Sequence, residues 1–339
     1  MNVSPNDPKG PWKLSDGTQS AGEGLDIESI IAPLLGAEWE ARSKDLREDI
    51  RNLCTEDLQE HLKKSFDDLR LDWGYYPQCP VSHKIVSLIT QSTLLHYTQF
   101  EGKTSVAELQ KLAASSRPLL LTSNHLAYGD AILIKSFLDR ETSANFPIVG
   151  LAGPKAYQTV FKRFMVSFFD SLLVPQPSAR ATEEAQVDVR QSLQIMKRII
   201  PLLKEQLSKG KVLQFFPEGS RSRDGALQPF VPAASRFLVD NPLICPIGLI
   251  GTESLMGVND DRIAVEKIIL RSGPVLTYKE LCTGLNDESM GVHLHKNIMD
   301  RLGYVTARLL PKEMQGVYRL STSTPFNAGA LEWAETISV

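Results

Sequence analysis

From Val81 onward, short apolar segments alternate with longer amphipathic ones, and this alternation limits the fold more than any other feature. Leu119-Leu120-Leu121, Lys211 to Phe216 and Leu243 to Ile250 read as buried strands. His96 to Glu101, Pro118 to Thr122, Pro147 to Leu151 and Lys267 to Arg271 read as further strands. Between and around them, Val81 to Leu95, Ala127 to Leu138, Ala156 to Phe169, Glu183 to Ser208 and Asp287 to Leu310 carry helical patterns. Gly210 closes the fourth of these. Strands alternating with helices predict an α/β fold, a mixed and largely parallel sheet flanked by helices.

The chain before Val81 has a different character. Residues 1–24 are rich in Pro, Gly, Ser and Asp and bury too little apolar surface to offset ordering, so a disordered tail is expected. Residues 25–80 carry the stripes Ile27, Ile30, Ile31, Leu34, Leu35 and Leu46, Ile50, Leu53, Leu58, Leu62, Phe66, Leu69, which predict a small N-terminal helical region. The α/β domain is expected over 81–320 and a C-terminal tail over 321–339. A length of 339 residues suits one large domain with an appendage or two domains.

Composition excludes several function classes. The net charge is −3, from 37 Lys and Arg against 40 Asp and Glu, so no basic excess points to nucleic acid. Cys54, Cys79, Cys245 and Cys282 form no C-x-x-C pair, which fits a reducing compartment. No apolar run reaches the ~18 residues of a spanning helix. No signal-peptide or transit-peptide pattern opens the chain. These features lead to the expectation of a cytoplasmic protein, with a peripheral membrane contact left open. There is no G-x-S-x-G elbow and no G-x-x-x-x-G-K loop, which counts against an α/β-hydrolase and a P-loop enzyme.

Two segments carry chemistry. The first, Ser123-Asn124-His125-Leu126-Ala127-Tyr128-Gly129-Asp130, follows the Leu119–Leu121 strand and opens a helix. The carboxyl ends of strands are where α/β sheets bind ligands. Asp130 can hold one ring nitrogen of His125 while the other takes a proton from a hydroxyl. Positions five apart lie roughly 140° apart on a regular helix, so the pair needs the strand–helix turn to meet. The plain alternative is a capping Asn124 and a satisfied histidine. The second segment, Phe216-Pro217-Glu218-Gly219-Ser220-Arg221-Ser222-Arg223-Asp224-Gly225, also ends an apolar strand. Pro217 and Gly219 force a turn whose amides can face a cleft. Arg221 and Arg223 suit a phosphate, and Glu218 suits substrate hydroxyls. A solvated charged loop is the plain alternative here.

Together these segments resemble the H-x4-D superfamily of glycerolipid acyltransferases. NHLAYGD is similar to the family's first motif and FPEGSRSRDG…LQPF to its third. Leu243 to Gly248 is similar to the fourth, and KIILRSGPV, residues 267–275, to the strand and turn that follow it. The resemblance runs from about His83 to Leu310. It implies the glycerol-3-phosphate acyltransferase-like α/β fold and a direct O-acyl transfer in phospholipid biosynthesis. His125, held by Asp130, is implied as general base on an acceptor hydroxyl that attacks the thioester of acyl-CoA or acyl carrier protein. Amides near Pro217 to Gly219 are implied as the oxyanion site. Glu218, Arg221 and Arg223 are implied as acceptor ligands, with no metal and no cofactor beyond the acyl donor. The third motif points to 1-acyl-sn-glycerol-3-phosphate as acceptor, with glycerol-3-phosphate or a lysophospholipid as the alternatives.

Two departures bear on that acceptor. The family's second motif carries an Arg, and the corresponding run Ser171 to Gln176 has none; Arg180, Lys155 and Lys162 are the nearby cations. Val231-Pro232 stands where a basic residue usually follows the Pro-Phe of the third motif. A thioesterase using the same base and a non-catalytic lipid-binding protein are the rival readings. His293 and His295 read as surface residues and Asn259 to Arg262 as a turn. Phe161 to Val174 and Val81 to Leu95 are apolar enough for core helices or for a membrane-facing entry ramp.

Overall fold

The computed structural model describes residues 48–50, 52, 73–157, 160–175, 188–253, 267–285, 292–321 and 323–339. The expected tail and most of the expected N-terminal helical region lie outside these residues. Two compact units divide the chain: residues 90–150 with 204–339, and residues up to 89 with 151–203.

The unit containing residues 90–150 is built on a sheet. Its strands are β2 (Thr98–Gly102), β3 (Leu119–Ser123), β4 (Ile148–Ala152, whose last residues belong to the other unit), β6 (Val212–Phe215), β7 (Leu243–Ile250), β8 (Ile268–Ser272) and β9 (Leu276–Thr277). The order is β4-β6-β3-β7-β8-β2, with β9 also on β7. β3 lies parallel to β6 on one side, Leu120 facing Leu213, and parallel to β7 on the other, Leu119 facing Leu243. β4 with β6 and β2 with β8 are also parallel, while β7 runs antiparallel to β8 and β9. This is the mixed, largely parallel sheet that the alternation predicts. Every residue of β3 and β6 is buried, which is why neither strand shows polar alternation.

Pro246 sits inside β7 without breaking it. A strand residue points its N–H and C=O to the same side, and Pro246 C=O accepts from Gly273 N–H at 2.7 Å. The missing N–H therefore faces the turn between β8 and β9, where the ladder changes partner.

Helices in this unit are α2 (Val106–Ala113), α3 (Asp130–Thr142), α6 (Tyr278–Cys282), α7 (Val292–Ala307) and α8 (Ala328–Glu335). Helix α2 is not anticipated from apolar spacing. Its signal is Ser105-x-x-Glu108: Ser105 Oγ caps it by accepting from Glu108 N–H at 3.2 Å. Helix α3 begins at Asp130, three residues later than expected, because the Asp130 carboxylate holds the amides of Leu126 and Ala127 in a turn. Residues 321–339, expected as a tail, contain α8. Arg301 stacks on Trp333 at 4.8 Å, and Arg308 donates to the carbonyls of Ala334 and Ile337, so two arginines fasten this segment.

In the other unit, β1 (Tyr75–Tyr76) pairs antiparallel with β5 (Asp170–Leu173). Helix α1 (Pro80–Thr93) begins here and buries Val81, Ile85, Val86 and Ile89. The apolar stretch before β5 forms a turn at Pro154–Tyr157 and the helix α4 (Val160–Val166), shorter than expected. Phe164, Phe168, Leu172 and Leu173 are buried, and His83 stacks on Phe168 at 5.1 Å. Among the described residues, the large apolar side chains of both segments considered as membrane-facing are therefore mostly packed in the core. Helix α5 (Val189–Ser208) buries Ile195, Met196 and Ile199. No helix among the described residues is long and apolar enough to cross a membrane.

Helix α7 carries Gly303 against the ring of Tyr318: an added Cβ would lie 2.4 Å from it. Phe230, Tyr304 and Phe326 pack edge-on around that ring and leave it nowhere to go. Alanine adds about 1 kcal/mol of helix propensity, but overpacking costs about 1–3 kcal/mol. Gly303→Ala is expected to destabilise the protein by up to about 2 kcal/mol in urea unfolding, against the sign of propensity alone.

Candidate functional site

The site forms at the carboxyl ends of β3 and β6. Where β3 stops, the Asn124 side chain continues its ladder: Nδ2 donates to Leu249 C=O at 2.9 Å and Oδ1 accepts from Leu249 N–H at 2.7 Å. Asn124 is thus a splice between β3 and β7 and not a helix cap. His125 follows immediately and is lifted out of the sheet.

His125 Nδ1 lies 2.9 Å from Asp130 Oδ2. The same oxygen accepts from Leu126 N–H at 2.6 Å and Ala127 N–H at 2.8 Å. An oxygen receiving two amide hydrogens is an acceptor for the ring as well, so Nδ1 carries the hydrogen and Nε2 the lone pair. Asp130 is wholly buried at the first position of α3, where the helix dipole favours a carboxylate. The imidazole keeps 18% of its surface exposed, and Nε2 has no hydrogen-bond partner among the described residues. The turn before α3 supplies the approach that a regular helix denies to positions five apart.

The second segment closes over the first. Beyond β6, the Phe216 ring lies face to face with His125, centroids 3.9 Å apart and planes at 12°. Gly219 takes φ 71°, a left-handed conformation suited to glycine, and its N–H closes a turn on Phe216 C=O at 3.0 Å. Ser222 N–H donates to His125 C=O at 2.7 Å. Pro217 is buried, and its carbonyl accepts from Val231 N–H at 2.8 Å.

Glu218 is fully buried. Its Oε1 accepts from His125 N–H at 2.7 Å and its Oε2 from Gln228 N–H at 2.8 Å. The sequence suggests a side chain facing substrate hydroxyls, whereas the structure places both oxygens on backbone amides between the loops. The Arg221 guanidinium lies 3.7 Å from the Tyr128 ring centroid, half-buried. Arg223 is exposed. Asp224, also exposed, has its carboxyl pulled below the ordinary value by the Ser222 hydroxyl and then by the Ala226 amide, which brace the loop.

Arg180 and Asn259 to Asp261 lie outside the described residues, and Lys155 and Lys162 belong to the other compact unit. His293 and His295 are exposed, and His295 Nδ1 lies 2.8 Å from Ser235 Oγ. Among the described residues no group of three or more His, Cys, Asp or Glu is placed to hold a metal. Burial pushes the Cys245 thiol up to about 12, so it stays protonated.

Sequence reasoning misses Phe216, Gln228, Tyr128 and Tyr318 as parts of the site's frame. Tyr318 Oη accepts from Phe230 N–H at 2.8 Å and donates to Asp300 Oδ1 at 3.2 Å, and burial raises its hydroxyl above the ordinary value. Apart from the Glu218–Gln228 contact, ten residues apart, these contacts span long stretches of chain and leave no local spacing to detect.

Residues 99–249 match the acyltransferase family profile. The chain is 28% identical over 162 residues to the 1-acyl-sn-glycerol-3-phosphate acyltransferase BAT2, chloroplastic, of Brassica napus, covering 48% of this chain and 41% of that one. It is equally similar to the 1-acyl-sn-glycerol-3-phosphate acyltransferase LPAT1, chloroplastic, of Arabidopsis thaliana, with 28% identity over 48% of this chain and 40% of that one. The matched stretch spans well under half the length of these relatives. Among solved structures, the crystal structure of the 1-acyl-sn-glycerophosphate acyltransferase PlsC from Thermotoga maritima aligns with a TM-score of 0.40. Its sequence identity is 12%, over 84% of this chain and 94% of that one.

The Glu218 arrangement generates a prediction. In Glu218→Gln one acceptor becomes an NH2 group facing a backbone N–H. Hydrogen bonds to a carboxylate contribute about 1.5–3 kcal/mol each, and an orphaned buried amide costs about as much. Glu218→Gln is expected to lose about 2–3 kcal/mol in urea unfolding. Gln228→Ala, which keeps the backbone amide, is expected to lose less than 1 kcal/mol.

Proposed function

We propose that this chain is a glycerolipid O-acyltransferase that works through His125 and Asp130, because residues 99–249 match the acyltransferase family profile. The observation that carries the reading is the 2.9 Å contact between His125 Nδ1 and Asp130 Oδ2, which leaves Nε2 as an accessible base. The acceptor is a hydroxyl of a glycerol phosphate, with 1-acyl-sn-glycerol-3-phosphate first. The names of the two plant relatives and the pair of arginines on the second loop support that choice.

The step needs no covalent enzyme intermediate. His125 Nε2 takes the proton from the acceptor hydroxyl as its oxygen attacks the thioester carbonyl of acyl-CoA or acyl carrier protein. The new C–O bond forms, the C–S bond breaks, and the proton passes from His125 to the departing thiolate. Asp130 fixes the tautomer and stabilises the imidazolium that forms in between. Phe216 covers one face of the ring and Glu218 holds the backbone of His125, so both act as positioning residues. Arg221 and Arg223 hold the acceptor phosphate.

The test is thiol release from palmitoyl-CoA by the purified chain, with glycerol-3-phosphate, 1-acylglycerol-3-phosphate, a lysophospholipid or no acceptor. Release that depends on 1-acylglycerol-3-phosphate is expected. His125→Ala is expected to lower turnover by about 10²–10⁴-fold, the range for a removed general base, with the circular-dichroism spectrum retained. Release without any acceptor indicates a thioesterase instead, and full turnover by His125→Ala removes the assigned base.

A further inference from the structure

Resting on the acyl-transfer reading, we infer that Tyr128 is a positioning residue whose ring holds the Arg221 guanidinium for the acceptor phosphate. Arg221 and Tyr128 sit on different loops, and the guanidinium carbon lies only 3.7 Å from the ring centroid. Both backbones are pinned to the dyad. Ser222, next to Arg221, donates its N–H to His125 C=O at 2.7 Å. Ala127, next to Tyr128, donates its N–H to Asp130 Oδ2 at 2.8 Å. The cation is thereby registered to the same carboxylate and the same backbone that orient the base.

The chemistry of the contact suits an anion site. Stacking on an aromatic ring uses the face of the guanidinium, while its N–H donors lie in the plane at the edge. A stacked arginine is restricted to few rotamers yet keeps the edge geometry that matches a phosphate bidentately. Arg223, two residues on, is exposed and has no ring contact among the described residues. Discrimination for a phosphate-bearing acceptor therefore falls to Arg221, and the precision of Arg221 falls to Tyr128.

The experiment measures KM and kcat for palmitoyl transfer to 1-acylglycerol-3-phosphate and to 1-acylglycerol, which lacks the phosphate. Tyr128→Leu is expected to raise KM for the phosphate acceptor roughly fivefold to twentyfold, with a smaller fall in kcat. For the phosphate-free acceptor the change in KM is expected to be below about twofold. Tyr128→Phe, which keeps the ring face, is expected to stay within about threefold of the parent. In an Arg221→Gln background, Tyr128→Leu is expected to add nothing, because Tyr128 acts through Arg221. If Tyr128→Leu loses its circular-dichroism spectrum, Tyr128→Met fills the volume without a ring and carries the same expectations. Equal KM changes for the two acceptors, additive losses in the double variant, or a Phe variant as damaged as Leu each overturn the inference. Failure of the unaltered chain to consume thioester with any acceptor overturns the acyl-transfer reading itself, and is visible before any Tyr128 variant is made.

Discussion

The local structure depends most on one buried carboxyl group. Glu218 bridges the amides of His125 and Gln228, and it has no exposed surface through which water could substitute for either. A buried polar group of this kind costs several kcal/mol unless hydrogen-bonded, so the two bonds form together or the loop opens. That coupling makes the strand-end loops one rigid piece. Asp130 repeats the device on a smaller scale, gathering His125 Nδ1 and two amides on a single oxygen. His125 is thus held from its ring side by one carboxylate and from its backbone side by another.

Rigidity also comes from far along the chain. Leu227 N–H donates to Met314 C=O at 2.8 Å, and Val317 N–H donates to Leu227 C=O at 3.3 Å, so the segment after α7 lies along the second loop as a strap. Gly316 lets the strap approach: it takes φ 52°, and a Cβ there would lie 2.0 Å from Leu227 O. Tyr318 then ties Phe230 to Asp300 of α7. The loop that covers His125 is held at its start by β6, in its middle by Glu218, and at its end by the C-terminal third of the chain.

Much of this was legible in sequence, for a physical reason. Strands buried on both faces need uninterrupted apolar runs, so β3, β6 and β7 are visible as such, and β7 runs from Leu243 to Ile250 as expected. His125 and Asp130 are visible because the turn between strand and helix is short enough to be a local pattern. What stayed hidden is relational. Glu218 is recognisable as an acidic residue in a motif, but nothing local distinguishes an acceptor facing substrate from one facing two backbone amides. Asn124 reads as a cap until its partner Leu249, on a strand far along the chain, is known. The helix α8 lacks a long apolar stripe, and arginines on α7 and beyond it, rather than its own composition, hold it in place.

On the proposed acyl-transfer reading, the division between buried and exposed charges sets how an anionic acceptor is discriminated at this site. An exposed cation such as Arg223 is screened within about 8 Å at physiological ionic strength and contributes encounter more than geometry. A half-buried cation fixed against a ring loses little further freedom on meeting a phosphate, so it converts more of its attraction into binding. The second-motif run contributes no arginine, and the residue after Phe230 is Val231 rather than a basic one. On the proposed reading, with Arg221 and Arg223 as the loop's two cations, the orientation of Arg221 matters more than the total charge of the cleft. The buried carboxyls hold His125, the Tyr128 ring lies against Arg221, and both are anchored to the same few residues at the end of β3.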